Sequence, residues 1–214
     1  MNAEYEKFVN SLMKPADILD QEITVLEEEM IDFVFELVSQ CESIHFLRKD
    51  ILNCFNFVER KYLLALKHME MGFLGESAEL IDPIKRIVIY RKNISLVKDG
   101  QSLYDNLKEE IGDLIFYLVG HKLVLFDVLN KYTQSFHKVD IDCLNEIIDA
   151  ISNSMTCIEN LINKINNYIK LNSNLPLISL QEIQNNNEEK LRKRYGSGNY
   201  SDKQANERKD KQEQ

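Results

Sequence analysis

"LNEIIDAISNSMTCIENLINKI", residues 144–165, carries an apolar side chain at nearly every third or fourth position: Leu144, Ile147, Ile148, Ile151, Met155, Ile158, Leu161 and Ile165. A half-buried strand would alternate every second residue, so this spacing predicts one long amphipathic helix over about 140–171, ended by "NSNLP". The same period recurs upstream. Over 21–48 it is set by Ile23, Leu26, Met30, Ile31, Phe33, Val34 and Leu37. Over 51–71 it continues through Phe55, Val58, Tyr62, Leu63 and Leu66, with Asp50 as a candidate cap. Further helices are predicted over 74–90, 103–131 and 180–194, with the polar stretch 130–139 as a loop. Pro83 lies one turn beyond Glu79 and either kinks the 74–90 helix or starts a new one. Seven Gly and three Pro in 214 residues supply too little turn chemistry for many short strands. The expected fold class is all-α, a helical bundle.

The formal charge of −9 argues against a general nucleic-acid binder, which needs a cationic surface, although bound divalent cations would still let the chain hold a nucleotide. The cysteines at 41, 54, 143 and 157 form no CxxC pair and no zinc-like spacing, so buried reduced thiols and a reducing cytoplasm are expected. "MNAEYEKFVN" at 1–10 lacks the cationic-then-apolar pattern of a signal peptide. The most apolar run, 114–126, is interrupted by Gly120, His121 and Lys122 and is too short to cross a bilayer. The expectation is a cytoplasmic protein without nucleic-acid or membrane partners, in the host cytoplasm if the chain is of phage origin.

Two short acidic pairs stand out. Glu76 and Glu79 fall in "GFLGESAELIDPIKR" (72–86), and Glu110 and Asp113 in "NLKEEIGDLIFYL" (106–118). Residues three apart on a helix lie about 60° apart around its axis and share a face. Antiparallel packing of the two helices would gather four carboxylates, whose repulsion calls for a hard cation such as Mg²⁺. Apolar neighbours flank both pairs, and a carboxylate bordering a core is costly unless it is paired or metallated. Gly75 and Gly112 sit beside the acids at a helix-propensity cost of about 1 kcal/mol each, which suggests close approach by a partner helix or ligand. By contrast, the run Glu27-Glu28-Glu29 reads as a solvated face. The single E-x-x-H, Glu42 with His45, falls short of the two that a ferritin-like di-iron bundle requires.

"LKHMEMGFLGESAELIDPIKR" (66–86) resembles the H-x-x-x-G-x-x-GE-x-x-E-x-x-D-x-x-K segment of MazG-type nucleotide pyrophosphohydrolases. "NLKEEIGDLIFYL" is similar to their EE-[LI]-GD-x-x-x-YL segment. "NEEKLRKRYGSGNYSDKQANERKDK" (187–211) resembles the N-x-x-KL-x-x-RY…YS…A-x-x-R-x-D tail of phage and bacterial members, and "MKPADIL" (13–19) is a weaker fourth block. The resemblance implies one all-α domain over 1–195, with helical insertions at about 27–66 and 132–172, followed by a polar tail at 196–214. It also implies a homodimer or higher homo-oligomer.

The implied activity is hydrolysis of a nucleoside triphosphate, a deoxy or non-standard nucleotide included, to the monophosphate and pyrophosphate. Glu76, Glu79, Glu110 and Asp113 would hold Mg²⁺, with Mn²⁺ as a substitute. Glu79 and Glu76 would be catalytic, Glu79 taking the proton of the attacking water. Lys85, Lys190, Arg194 and Arg208 would hold phosphates. Tyr117 would stack on the base, Asn187 would read its edge, and His68 would line the site. An all-α dUTPase-like or phosphoribosyl-ATP pyrophosphohydrolase-like activity shares the carboxylate pattern. A non-catalytic helical interaction protein on the same scaffold is the competing class. The chain departs from the family in having no Trp, in Gly75 at the place of a further Glu, and in Pro83 within the site helix.

Overall fold

The computed structural model describes residues 21–54, 58–98, 100–132 and 138–195. Five helices make up the fold of these residues: α1 (Val25–Cys54), α2 (Arg60–Val88), α3 (Leu103–Tyr132), α4 (Lys138–Asn172) and α5 (Leu180–Arg194). A two-residue hairpin, β1 (Val97–Lys98) with β2 (Gln101–Ser102), precedes α3 and turns at Gly100, whose φ of +86° suits a residue without a Cβ. The helical reading does not predict this hairpin, although the Asp99-Gly100 pair is a turn signal present in the sequence.

The four long helices pack as a closed ring, α1 on α2, α2 on α3, α3 on α4 and α4 on α1. Their contacts make neighbours antiparallel. The Tyr132 hydroxyl at the end of α3 bonds Glu59 just before α2, while Glu29 of α1 pairs with Lys164 of α4 at 2.5 Å. The core inside the ring takes Met30, Val34 and Leu37 from α1, Phe73, Leu80 and Ile87 from α2, and Leu107, Ile111, Leu114 and Leu118 from α3. From α4 it takes Leu144, Ile147, Ile151, Ile158, Leu161 and Ile165, the stripe read from the sequence. The two stretches expected as insertions therefore supply most of α1 with the start of α2, and all of α4; α1 and α4 pack on each other as one side of the bundle.

Several boundaries differ from the sequence expectation. α1 runs through Asp50, which therefore starts no helix; residues 48–51 contain neither Gly nor Pro, and an interior Asp costs only tenths of a kcal/mol. The stretch 51–71, expected as one helix, is divided between the end of α1 and the start of α2. α2 is continuous from Arg60 through Gly72, Gly75 and Pro83 to Val88, so Pro83 does not start a new helix. Leu80, Ile84, Ile87 and Val88 are buried on both sides of it, and that apolar face holds the final turns despite the missing N–H. Asn130 and Lys131, expected in a loop, lie in the last turn of α3, and Lys138 and Val139 begin α4.

The acidic run at the start of α1 is not uniformly solvated. Glu27 is buried and forms a capping box: its carboxylate accepts from the Thr24 N–H at 2.8 Å, and its own N–H donates to the Thr24 hydroxyl at 3.3 Å. Burial works to raise its pKa, but hydrogen bonds from Arg91 and Thr24 prevail and hold it below the ordinary value. Of the three, Glu28 alone is exposed, since Glu29 holds Lys164. Cys157 is a free, buried thiol whose pKa burial pushes up to about 12. Among the described residues, no helix is long and apolar enough to cross a membrane.

Candidate metal centre and adjoining cavity

Two glycines set the register that builds the site. A Cβ on Gly72 of α2 would stand 2.1 Å from the Tyr117 ring of α3, and one on Gly120 of α3 would stand 2.4 Å from Met69 Sδ. Bare backbone at these points lets α2 and α3 close on each other, one turn before Glu76 on α2 and about two turns beyond Asp113 on α3. Gly75, where a close approach was expected, faces open space, whereas Gly112 behaves as expected: Asn187 of α5 lies 3.2 Å from where its Cβ would be.

α5 begins at Ser179, whose hydroxyl accepts from the Glu182 N–H at 3.1 Å, and Lys108 of α3 reaches Glu182 at 3.2 Å. These contacts lay α5 parallel to α3. At the other end of the hairpin, the Ser102 hydroxyl accepts from the Asp105 N–H at 3.0 Å and fixes the first turn of α3.

Across α2 and α3, carboxylate oxygens of Glu76, Glu79 and Glu110 lie within 4.8 Å of one another. Glu79 is exposed, Glu76 half-buried and Glu110 only 8% exposed. Burial, reinforced by the charges of Asp113 and Glu79, raises the Glu76 carboxyl to about 7. Burial followed by the charges of Glu79 and Glu76 raises Glu110 to about 8. The Asn106 amide donates to Glu110 at 2.8 Å. An all-oxygen donor set under mutual repulsion suits a hard divalent cation, whose charge would replace the protons these groups otherwise retain.

Asp113 stands apart from this trio. Its carboxylate receives Lys190 Nζ at 2.5 and 2.6 Å and the Asn187 amide at 2.6 Å. Lys190 also reaches Glu109 at 3.3 Å, and Glu109 accepts from Gln101 Nε2 at 2.7 Å. In place of the expected four-carboxylate cluster there are three glutamates beside an aspartate locked to α5.

The acids form one wall of a cavity of about 1020 Å³. His68, Phe116, Tyr117, Val119 and Leu123 add an apolar and aromatic part to the lining, and Arg194 and Tyr195 of the α5 end line it too. His68 meets Tyr117 edge-on at 6.2 Å. Burial, then the charges of Glu76 and Asp113, raises the Tyr117 phenol. The structure thus brings Glu76, Glu79, Glu110, Asp113, His68, Tyr117, Asn187 and Arg194 to one cavity, with Lys190 just behind Asp113.

Lys85 does not join them. It lies nine residues after Glu76, which at 100° per residue is the opposite side of α2, and its ammonium stands 5.3 Å over the Tyr90 ring. Asn187 spends its amide N–H on Asp113, which makes it a holder of that carboxylate. Arg208 and the tail 196–214 lie outside the described residues.

Sequence reasoning missed Glu109 and the apolar wall. The signal for the wall was present as a second stripe on α3, Phe116, Val119, Leu123 and Phe126, offset from the buried stripe; all four remain at least 40% exposed. No protein-family model, curated protein or solved structure matches the chain.

Proposed function

We propose that this chain is a Mg²⁺-dependent nucleoside triphosphate pyrophosphohydrolase, releasing pyrophosphate and a monophosphate. The observation that carries it is the convergence of Glu76, Glu79 and Glu110 oxygens within 4.8 Å, in a cavity lined also by His68, Phe116, Tyr117, Val119 and Leu123. A triphosphate needs the cation held by the acids, and a nucleoside the aromatic and apolar side chains.

Glu76, Glu79 and Glu110 would hold the cation, with Mn²⁺ as a substitute and Asp113 as a further ligand. A bound Mg²⁺ would lower the pKa of a water and screen the charge of the triphosphate and its leaving group. Exposed Glu79 is the group best placed to take the proton of the attacking water. Arg194 offers a planar, permanently charged donor set to phosphate oxygens. Tyr117 and His68 would present ring edges and faces to a base, with buried Ile115 also in the lining. The dUTPase-like and phosphoribosyl-ATP-like alternatives use the same chemistry and differ in what this aromatic wall accepts. A homodimer, which the motif resemblance implies, is supported by the exposed apolar residues Met71 and Leu74 on α2 and Phe126 on α3, which lie outside the cavity lining.

The experiment is incubation of the pure chain with each nucleoside triphosphate and Mg²⁺, followed by assay of pyrophosphate. Glu79→Ala is expected to abolish release, while Glu28→Ala, on the exposed side of α1, leaves it unchanged. Absence of pyrophosphate from every nucleotide would favour the non-catalytic scaffold.

A further inference from the structure

Asp113 lines the cavity and Lys190 packs against it, and both are largely withdrawn from solvent, with side chains 21% and 15% exposed. The Lys190 ammonium bonds both Asp113 oxygens, and Asn187 takes a further position on one of them. A carboxylate so engaged has little lone-pair capacity left for a cation. On α5, residues 187, 190 and 194 follow the spacing that places them on one helix face. Asn187 and Lys190 on that face reach Asp113, while Arg194 lines the cavity. A short movement of a flexible four-carbon stem would carry the Lys190 ammonium from a singly charged carboxylate to a multiply charged polyphosphate beside Arg194.

We infer that Lys190 is a removable counter-ion, which keeps Asp113 out of the carboxylate cluster until a polyphosphate draws it away. This rests on the proposed nucleotide chemistry and adds its order of assembly. The glutamate trio takes a cation first, and Asp113 becomes a ligand only when the substrate's phosphates have claimed Lys190. A site arranged in this way couples cation and substrate binding through one side chain.

The test is Mn²⁺ binding to the full chain, followed by calorimetry and by the electron-spin signal of free Mn²⁺, with no nucleotide present. Lys190→Met frees Asp113, so Mn²⁺ should bind at least about ten-fold more tightly than to the parent. In an Asp113→Asn background the same substitution should change Mn²⁺ affinity by less than about two-fold, because there is no ligand left to release. Inorganic tripolyphosphate should tighten Mn²⁺ binding to the parent more than to Lys190→Met. Lys190→Gln serves the same cycle if the methionine variant fails to fold.

Equal tightening in the parent and Asp113→Asn backgrounds would mean that Lys190 acts only as a nearby positive charge, and would overturn the inference. So would an unchanged affinity in Lys190→Met. If the parent binds no Mn²⁺ at all, the cation site and the proposed function fall together. If the parent binds Mn²⁺ and releases pyrophosphate but the cycle shows no coupling, only the counter-ion role is lost.

Discussion

Glu110 offers a quantitative test that needs no substrate. Its carboxyl lies at about 8 and that of Glu76 at about 7, both above the ordinary value of 4.5, because burial and neighbouring carboxylates disfavour their charged forms. Between pH 4.5 and 8 the folded chain therefore holds more protons at these groups than the unfolded chain does. Stability contributed by the protonated groups is fully present below about pH 4.5 and is lost as pH rises through the folded-state values, with the loss complete above about 8.

Each pH unit of difference is worth about 1.4 kcal/mol, so Glu110 alone sets a ceiling of ~5 kcal/mol. The cavity is open to solvent, which screens the repulsion, and ~2–3 kcal/mol is the expected loss between pH 5 and 9. For a chain of this length that is a fall of about 5–10 °C in Tm. Glu110→Gln removes the charge and keeps an oxygen for the Asn106 amide. It also relieves Glu76 of a neighbouring acid with which it shares a hydrogen bond. The variant should therefore hold most of its stability up to pH 9.

The assay is urea denaturation of both proteins in a chelator at half-unit pH steps. Adding Mg²⁺ to the parent at pH 8 should restore much of the lost stability, following RT ln(1 + [L]/Kd). A parent profile that is flat from pH 5 to 9, or a Glu110→Gln profile that falls in parallel with it, would refute the account of the site as a repelling carboxylate cluster.

Two substitutions at glycines should move in opposite directions. Gly72→Ala drives a Cβ to 2.1 Å from the Tyr117 ring and should cost about 1–3 kcal/mol, while Gly75→Ala meets nothing within 4 Å and should gain up to about 1 kcal/mol from helix propensity. Chemical denaturation of the pair checks both signs, and a destabilised Gly75→Ala would show that its open face is occupied. Light scattering should give a dimeric mass for the parent and a smaller one for Met71→Glu, a residue 73% exposed on α2; a monomeric parent would remove the dimer from the proposal.

Local order was legible in the sequence because it depends on short-range spacing. The apolar stripe of 144–165 determined α4 and its buried face, and the polar break before Leu180 determined where α5 begins. The acidic pairs were legible for the same reason, since three-residue spacing fixes a shared helix face whatever the helix packs against. Helix limits were less so. Asp50 and Pro83 carry breaker chemistry that the surrounding helix overrides, and for Pro83 the cause is burial of neighbouring apolar residues, a tertiary quantity.

Partnership between distant residues was not written in any local pattern. Nothing in the run Glu27-Glu28-Glu29 announces that Arg91 will hold the first and Lys164 the third while the second stays in water. Lys85 and Lys190 look alike as sequence, yet helical phase turns one away from the acids and the docking of α5 presses the other onto Asp113. The sequence alone thus determined the helices, their apolar faces and the identity of the acids. Which acids meet, and which are already spoken for by a cation of the chain itself, was decided by the α2–α3 register at Gly72 and Gly120 and by the seating of α5 on Gly112, because charge partners are chosen by distances in three dimensions that no spacing along one helix can encode.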